Sequence, residues 1–500
     1  MTNHAHRARP AGIRLLGLLA AGALAVSACG NSGDDDDATD ATTAPAATAA
    51  PQATAAPTEP DATTAPEATE APDATTGDTT ATTEPAATEP EAPELGEFQA
   101  ISGVPGVTDE AIQFAILGTG PANPLGYCLL ECYADGVEAY FEWRNSIGGV
   151  HGRQLEAREV DDELGNTQVR MLELTVADDV FGIFAAPLIP VGFQEANAAG
   201  TPLYSTAPSA PAGVGFDNVF IANTWCGDCP STYTVHQAQL AGATKVASLG
   251  FGVSQASKDC VAYTTDTFNT YGPAVGMEFA YANDALAYGL PNGLGPEVTA
   301  MKDLGVDFIT TCIDQNSVLL LIQELRRQGM NDTVVVLPQG YGDTKFITDN
   351  ADLLEGALIG SWNRPFEADA GTSQMNQIKE AVATGNYQVN DYFLQGWVNA
   401  YMAVTGLLAA GPQFDQAGVI AATNSITDYT AGGMIPSIDW SLWHEDYTTE
   451  TMKASGPQHS CITVLRVTNG AFELLGDPAK PWNCVERVPD EWAEPVPTNF

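Results

Sequence analysis

Positive charge is what this 500-residue chain has least of: 19 Lys and Arg stand against 63 Asp and Glu, a net charge of −44. Such a balance excludes nucleic acid and anionic membrane surfaces as direct partners, because both are held by clustered cations. Histidine is scarce too: six occur, and two of them, His4 and His6, fall in the leader. Neither a His-Glu-x-x-His pair nor a Gly-x-Ser-x-Gly turn is found, so the signatures of zinc and serine hydrolases are missing. His444-Glu445-Asp446 is too compact in sequence to make a metal site without distant ligands. Beyond the leader no apolar run approaches the ~20 residues that a spanning helix requires. Together these absences point to a protein that binds rather than reacts, with no catalytic residues, metal or cofactor.

What the amino end does have is a targeting pattern. Arg7, Arg9 and Arg14 lead into a short apolar run, 15–26, which ends in Val26-Ser27-Ala28-Cys29. Small residues before a cysteine look like the lipobox of a bacterial lipoprotein, with residues 1–28 as signal peptide and Cys29 as the lipid-bearing residue. The alternative is an ordinary secretory signal with an incidental cysteine. From Gly30 to about Glu97 the chain is almost wholly Ala, Thr, Pro, Asp and Glu, with no Lys, Arg or aromatic residue. It cannot bury enough apolar surface to offset its ordering entropy, and reads as a disordered tether reaching on the order of 50 Å. The aspartate run 34–37 is solvated spacer. The body, 98–500, keeps 47 acidic residues against 16 basic ones and stays near −31.

Setting Cys29 aside leaves eight cysteines, an even number suited to disulfides in an exported protein. Proximity pairs Cys128 with Cys132, Cys226 with Cys229, Cys260 with Cys312 and Cys461 with Cys484, though sequence alone permits about 105 connectivities. Cys226-Gly-Asp-Cys229 could also be a redox C-x-x-C motif.

The body alternates apolar strands with helical patterns, as parallel α/β sheets do. Strands are predicted at 112–117, 180–185, 202–205, 219–222, 245–250, 275–280, 306–311, 333–337 and 357–361. Helices are predicted at 318–327, 374–383, 391–410 and 416–425, and a hairpin of 461–467 with 471–475 turns at Asn469-Gly470.

The most telling stretch is 139–162. A helix with Ala134, Val137, Tyr140 and Phe141 on one face stops at Gly148-Gly149, and a strand alternating Leu155 and Ala157 with Glu156 and Arg158 ends in Asp161-Asp162. Carried by Asn145, Gly148, Gly149, Val150, Gly152, Arg153, Asp161 and Asp162, this order resembles the first βαβ unit of type I periplasmic binding proteins. The leucine/isoleucine/valine-binding-like branch serving ABC importers is the nearest in pattern, and the resemblance extends over 108–488. It implies two doubly wound lobes joined by three crossings near 222–225, 362–366 and 433–440. Lobe 1 would take about 108–222 and 367–432, lobe 2 about 223–366 and 433–500.

In such folds the ligand sits between the lobes at the carboxyl ends of the strands. The resemblance then places Thr119 and Gly120 on the first cleft loop, and Ser205 and Thr206 where amino-acid-binding relatives hold a carboxylate. Ala185-Ala186-Pro187 departs from the Ser/Thr-rich family loop, and Gln339 stands where such relatives place an acid for the ammonium group. Asp314 could replace that acid, or simply cap a helix. Trp225, Phe251, Tyr341 and Trp362 would give the cleft aromatic surface. Asp161-Asp162 could be an acid/base pair, but at a strand end they read more naturally as turn-shaping residues. The implied protein is a monomeric, lipid-anchored, extracytoplasmic binding protein that hands a small solute to an ABC permease. A surface sensing module or an exported α/β enzyme are the rival functions for the same scaffold.

Overall fold

The computed structural model describes residues 96–121, 123, 126–206, 215–222, 232–338, 341–368, 372–385, 387–444, 459–479, 481–486 and 496–497. Cys29, Trp225, Cys226, Cys229, Gln339, the signal and nearly all of the tether lie outside the described residues, as does the start of the first expected crossing beyond Ala222.

The first half alternates strand and helix: β1 (Ala111–Gly118), α1 (Leu130–Ser146), β2 (Gln154–Asp161), α2 (Thr167–Ala177), β3 (Gly182–Ala186), α3 (Phe193–Ala199), β4 (Leu203–Ser205) and β5 (Val219–Ile221). The five strands form one parallel sheet in the order β2-β1-β3-β4-β5. Apart from half-buried Gln113 in β1, the strands β1, β3, β4 and β5 bury every residue, as expected of strands covered on both faces. β2, at one edge, fully buries only Leu155 and leaves its other side chains partly or wholly exposed, whereas β5 at the opposite edge is buried throughout.

The segment 139–162 earns its sequence by backbone contacts. Asn145 pairs with Leu155 as a strand would: its Nδ2 donates to the Leu155 carbonyl and its Oδ1 accepts the Leu155 amide, both at 2.8 Å. Gly149 sits at φ 69°, and a Cβ there would stand 1.9 Å from the Arg153 carbonyl oxygen, so only glycine fits. Arg153 is fully buried. It donates to the carbonyls of Thr108 at 2.7 Å and Gln99 at 2.8 Å and lies 4.7 Å from the Phe98 ring centre, which straps the incoming chain onto the start of β2.

The second half supplies α4 (Thr232–Leu240), β6 (Lys245–Phe251), α5 (Gln255–Tyr271), β7 (Glu278–Leu286), α6 (Gly295–Leu304), β8 (Phe308–Cys312), α7 (Gln315–Arg327), β9 (Val334–Val336), α8 (Thr344–Asp349), α9 (Ala351–Leu354) and β10 (Leu358–Ser361). Next come α10 (Ser373–Thr384), α11 (Asp391–Ala410), α12 (Gln416–Asn424) and α13 (Trp440–Trp443), and then β11 (His459–Thr468), β12 (Ala471–Leu474), β13 (Asn483–Glu486) and β14 (Val496–Pro497). The second sheet runs β14-β13-β11-β10-β9-β8-β6-β7, with β12 paired to β11. It is parallel from β6 to β10 and antiparallel from β11 onward.

Two expectations are corrected. The strand placed at 275–280 begins later, at Glu278, because residues 272–275 form a 3-10 turn closed by Gly276 at φ 78°. β13 and β14, not foreseen, extend the sheet past the hairpin. Near the third expected passage, Trp440 packs edge-on to Phe220 at 5.4 Å, and the His444 carbonyl accepts the Gly215 amide at 2.8 Å. The hairpin itself turns as expected, with Asn469 and Gly470 both left-handed at φ 52° and 74°, the geometry of a type I′ turn.

α11 carries the chain back to the first sheet and crosses α1 closely. A Cβ on Gly136 would lie 2.0 Å from the Phe393 carbonyl oxygen, and one on Gly396 would lie 2.1 Å from that of Tyr133. Around this crossing Tyr140 meets Trp397 edge-on at 5.2 Å. Disulfides join Cys128 to Cys132 and Cys260 to Cys312 as expected. Cys461 is disulfide-bonded and stands opposite Cys484 in the β11–β13 register.

Candidate ligand-binding site

Because the strands of each sheet's parallel part point the same way, their following loops gather on one edge. On the first sheet these loops are stitched together from within. The Thr119 hydroxyl donates to Asp162 Oδ2 at 3.0 Å and accepts the Leu188 amide at 2.8 Å, tying the loops after β1, β2 and β3 into one knot. Asp162 also receives the Thr167 hydroxyl at 2.7 Å and the Leu164 amide at 2.9 Å. Asp161 Oδ1 accepts the Gly120 amide at 3.1 Å and that of Glu163 at 2.8 Å. The aspartate pair therefore shapes the turn, as its position suggested. It also occupies the Gly120 amide that the resemblance offers to a ligand.

One loop further on, the Ser205 hydroxyl donates inward, with the carbonyls of Ala185 at 3.0 Å and Thr206 at 3.1 Å as its acceptors. Thr206 differs. Its amide bonds the Ala185 carbonyl at 2.9 Å, while its hydroxyl is committed to no other described group. Beneath this loop runs a buried relay. Asn399 Nδ2 donates to the Tyr133 hydroxyl at 2.7 Å, which donates to the Tyr204 carbonyl at 3.1 Å. Burial pushes the Tyr133 hydroxyl well above the usual tyrosine range, so it serves as a neutral donor.

On the second sheet Phe251 is buried, donates its amide to Ser257 Oγ at 2.7 Å and meets Tyr288 edge-on at 5.3 Å. The Ser257 hydroxyl in turn donates to the Cys312 carbonyl, so β6, α5 and the end of β8 share one anchor. Asp314 caps α7: Oδ1 accepts the Ser317 amide at 3.0 Å and Oδ2 its hydroxyl at 2.7 Å. Asp314→Ala is expected to lower stability by about 1 kcal/mol through the lost cap, measured by thermal unfolding.

Tyr341 and Trp362 both meet the crossing that leaves β10. The Tyr341 hydroxyl donates to Glu367 Oε2 at 2.8 Å and accepts the Phe366 amide at 2.7 Å. Burial raises both the Tyr341 hydroxyl and the Glu367 carboxyl above their ordinary ranges. The Trp362 carbonyl accepts the indole N–H of Trp482 at 3.1 Å, and its own side chain is half-buried. Arg364, fully buried, donates from Nε to the Gly433 carbonyl at 2.8 Å and from Nη1 to that of Ala368 at 3.0 Å.

Thr119, Gly120, Ser205 and Thr206 thus come together on the first edge, while Phe251 and Asp314 flank Cys312 on the second. Tyr133, Ser361, Asn363, Asp391 and Asn399 were missed by the sequence reading. The legible signal was the spacing of Asp391, Gln395 and Asn399 at i, i+4 and i+8, a polar stripe on an otherwise apolar 20-residue helix.

Two α/β sheets whose loop edges are linked by a buried, hydrogen-bonded crossing define a two-lobed solute-binding protein. The chain matches the family model described as periplasmic binding protein over residues 119–470. It belongs to that family, the type I periplasmic binding proteins that serve as substrate-binding proteins of ABC transporters. No curated protein sequence matches it. Among solved structures it is similar to a fatty acid ABC transporter substrate-binding protein from Thermomonospora curvata, at 18% identity and TM-score 0.59, covering 80% of this chain and 98% of that one. It is also similar to a branched-chain amino acid transporter substrate binding protein from Streptococcus pneumoniae solved with isoleucine, at 17% identity and TM-score 0.56, covering 73% and 99%. A solute binding protein of R. palustris in complex with benzoate aligns at 16% identity and TM-score 0.53, covering 74% and 97%. At these identities the structures establish a shared fold. No helix among the described residues is long and apolar enough to cross a membrane.

Proposed function

We propose that this chain is an extracytoplasmic, lipid-anchored binding protein that captures a small carboxylic acid with an apolar or aromatic body and delivers it to an ABC importer. Cys29 after its small-residue motif supports the anchor, and the Ala/Thr/Pro-rich stretch that follows supports a tether long enough to let the body reach a permease. Capture would proceed by closure of one lobe onto the other about the crossing at 362–366, with exclusion of water strengthening the few polar contacts made.

The observation that carries the ligand class is how the edge hydroxyls are used. Thr119 and Ser205 are spent on the protein's own groups, Asp314 is spent on a helix cap, and the Thr206 hydroxyl, with no partner among the described residues, would be the one offered to a ligand. Trp362, half-buried at the crossing, would add aromatic surface. A zwitterionic amino acid needs several donors for its carboxylate and an acid for its ammonium group. A fatty or aromatic acid needs fewer polar partners and more apolar surface. The ligands named for the similar structures, fatty acid, isoleucine and benzoate, share a carboxylate on an apolar body.

The test is a thermal-shift screen of the mature protein against fatty acids, aromatic acids, branched-chain amino acids, sugars and polyamines, since a tight ligand raises the midpoint by mass action. For the best acid, Thr206→Val is expected to weaken binding about tenfold, the worth of one hydrogen bond to a charged group. Unchanged affinity in that variant removes Thr206 from the site, and a sugar or polyamine as the tightest ligand removes the carboxylic-acid assignment.

A further inference from the structure

The body carries a large excess of acid, yet one face of the first lobe is apolar. Among the described residues, six of the twelve large apolar side chains that stand exposed fall between 164 and 191: Leu164, Val169, Leu172, Val176, Ile189 and Val191. Three of them belong to α2, which is apolar on two sides. Thr167, Met171 and Leu174 are its buried side, where it packs on β1 and α3. Val169, Leu172 and Val176 lie within about 60° of arc on the opposite side, at 54%, 53% and 74% exposure. A surface helix ordinarily turns charge to water there. Ile189 and Val191 adjoin the start of the same helix. The Ile189 carbonyl is 3.3 Å from the Thr167 hydroxyl, and a Cβ on Gly192 would stand 2.9 Å from the Gln168 Cα.

The exposed crest of α2 is close to a palindrome. Laid antiparallel on a second α2, about a dyad between Leu172 and Glu173, Val169 meets Val176 of the second copy and the two Leu172 side chains meet near the axis. Such a dyad returns each flank of the helix to itself. Arg170 and Glu173 share one flank, where they pair within their own chain at 2.8 Å. In the antiparallel pair each Arg170 also comes level with Glu173 of the other copy, to within about 3 Å along the axis. Opposite charges therefore face each other across the dyad beside the apolar contact. Gln168 and Thr175 occupy the other flank, so no like charges are opposed there. The six exposed side chains offer on the order of 500 Å² of apolar surface per copy, near the upper end of what a monomer leaves bare. With the charged flank added, the face approaches the ~800 Å² per partner of a standard interface.

We propose that α2 is a pairing surface through which two copies of this chain associate about a two-fold axis, in place of the monomer that the family resemblance implies. The contact lies wholly on the first lobe and involves no ligand. Leu164 and Ile189 belong to the loops after β2 and β3, which Asp162 and Thr119 tie together. Pairing braces that ligand edge and leaves each second lobe free to close. Repulsion between two acidic bodies works against association, which sets the expected Kd on the order of 10 μM rather than lower.

The test is sedimentation equilibrium of the mature chain, made with Cys29→Ser so that no lipid enters the measurement, with thermal unfolding to check that each variant is folded. The protein is expected to pass from monomer to dimer with concentration. Leu172→Glu sets two buried carboxylates at the dyad and is expected to raise the Kd about a hundredfold. Val253→Glu, at a side chain 77% exposed just past β6, is expected to leave it unchanged. Arg170→Glu and Glu173→Arg should each weaken the dimer about tenfold alone, whereas mixing the two variants should restore it, because only the mixed pair opposes unlike charges across the dyad. The pair within one chain cannot produce that rescue. A mixture no tighter than its components, a dimer indifferent to Leu172→Glu, or one broken equally by Val253→Glu overturns the proposal. So does a protein monomeric throughout, which would leave a permease or another protein as the occupant of this face. The ligand screen is a separate measurement, and either can fail while the other stands.

Discussion

Gly396→Ala and Gly136→Ala should each destabilise the protein by about 3 kcal/mol, although alanine is the better helix former by about 1 kcal/mol. The sign is decided by space. Each added methyl would meet a backbone carbonyl of the opposing helix near 2 Å, and a carbonyl cannot rotate aside as a side-chain tip can. The helices must separate, and the 2.7 Å bond from Asn399 to Tyr133 stretches with them. The double variant should cost clearly less than the two single costs added, because one separation relieves both clashes. Urea unfolding of the three proteins measures this. If either alanine stabilises, or if the costs add, the two glycines do not share one contact.

The two described disulfides should differ in worth. Cys260 and Cys312 are 52 residues apart, so replacing both with serine should cost about 4 kcal/mol in chain-entropy terms. Cys128 and Cys132 are four apart, and the same change there should cost only about 2 kcal/mol. Thermal unfolding of the two double-serine variants gives the ranking. Equal costs would mean that local packing, not loop closure, sets the value of these bonds. The larger loss should also loosen the Phe251–Ser257–Cys312 anchor, visible as faster exchange of the Phe251 amide.

Much of this architecture was written in short-range patterns. β3 and β5 are continuous apolar runs and β1 and β6 nearly so, as buried strands require, while β2, with most of its side chains partly or wholly exposed, mixes apolar with charged residues. Asn145, Gly149 and Arg153 announce a helix stop and strand start because their partners lie within ten residues or so, or on the incoming chain. β7 was misplaced because the apolar run starts at Val275, whereas the backbone cannot extend until the left-handed Gly276 is passed. β13 and β14 carry little apolar signal and owe their pairing to β11.

The candidate site was legible only as positions. That Thr119 and Ser205 lie at strand ends followed from the alternation of elements. That their hydroxyls are already occupied depends on Asp162, Leu188 and Ala185, whose proximity is a product of the folded sheet. Asp391 was less visible still. In sequence it is an acid in the first turn of a helix, an ordinary placement; its burial against Ser361 and Asn363 comes from a segment some 30 residues earlier returning alongside.

The strap made by Arg153 has a mechanical consequence. It grips the incoming chain at Gln99 and Thr108 beside the start of β2, on the edge of the first sheet opposite its ligand loops. A pull on the chain ahead of residue 96 would be taken up there, in shear along buried guanidinium–carbonyl bonds and the Phe98 ring, before it could reach β1. Force arriving from that end would load the first sheet at its rear and leave the second sheet unstrained, so the chain could be held taut without its lobes being drawn apart.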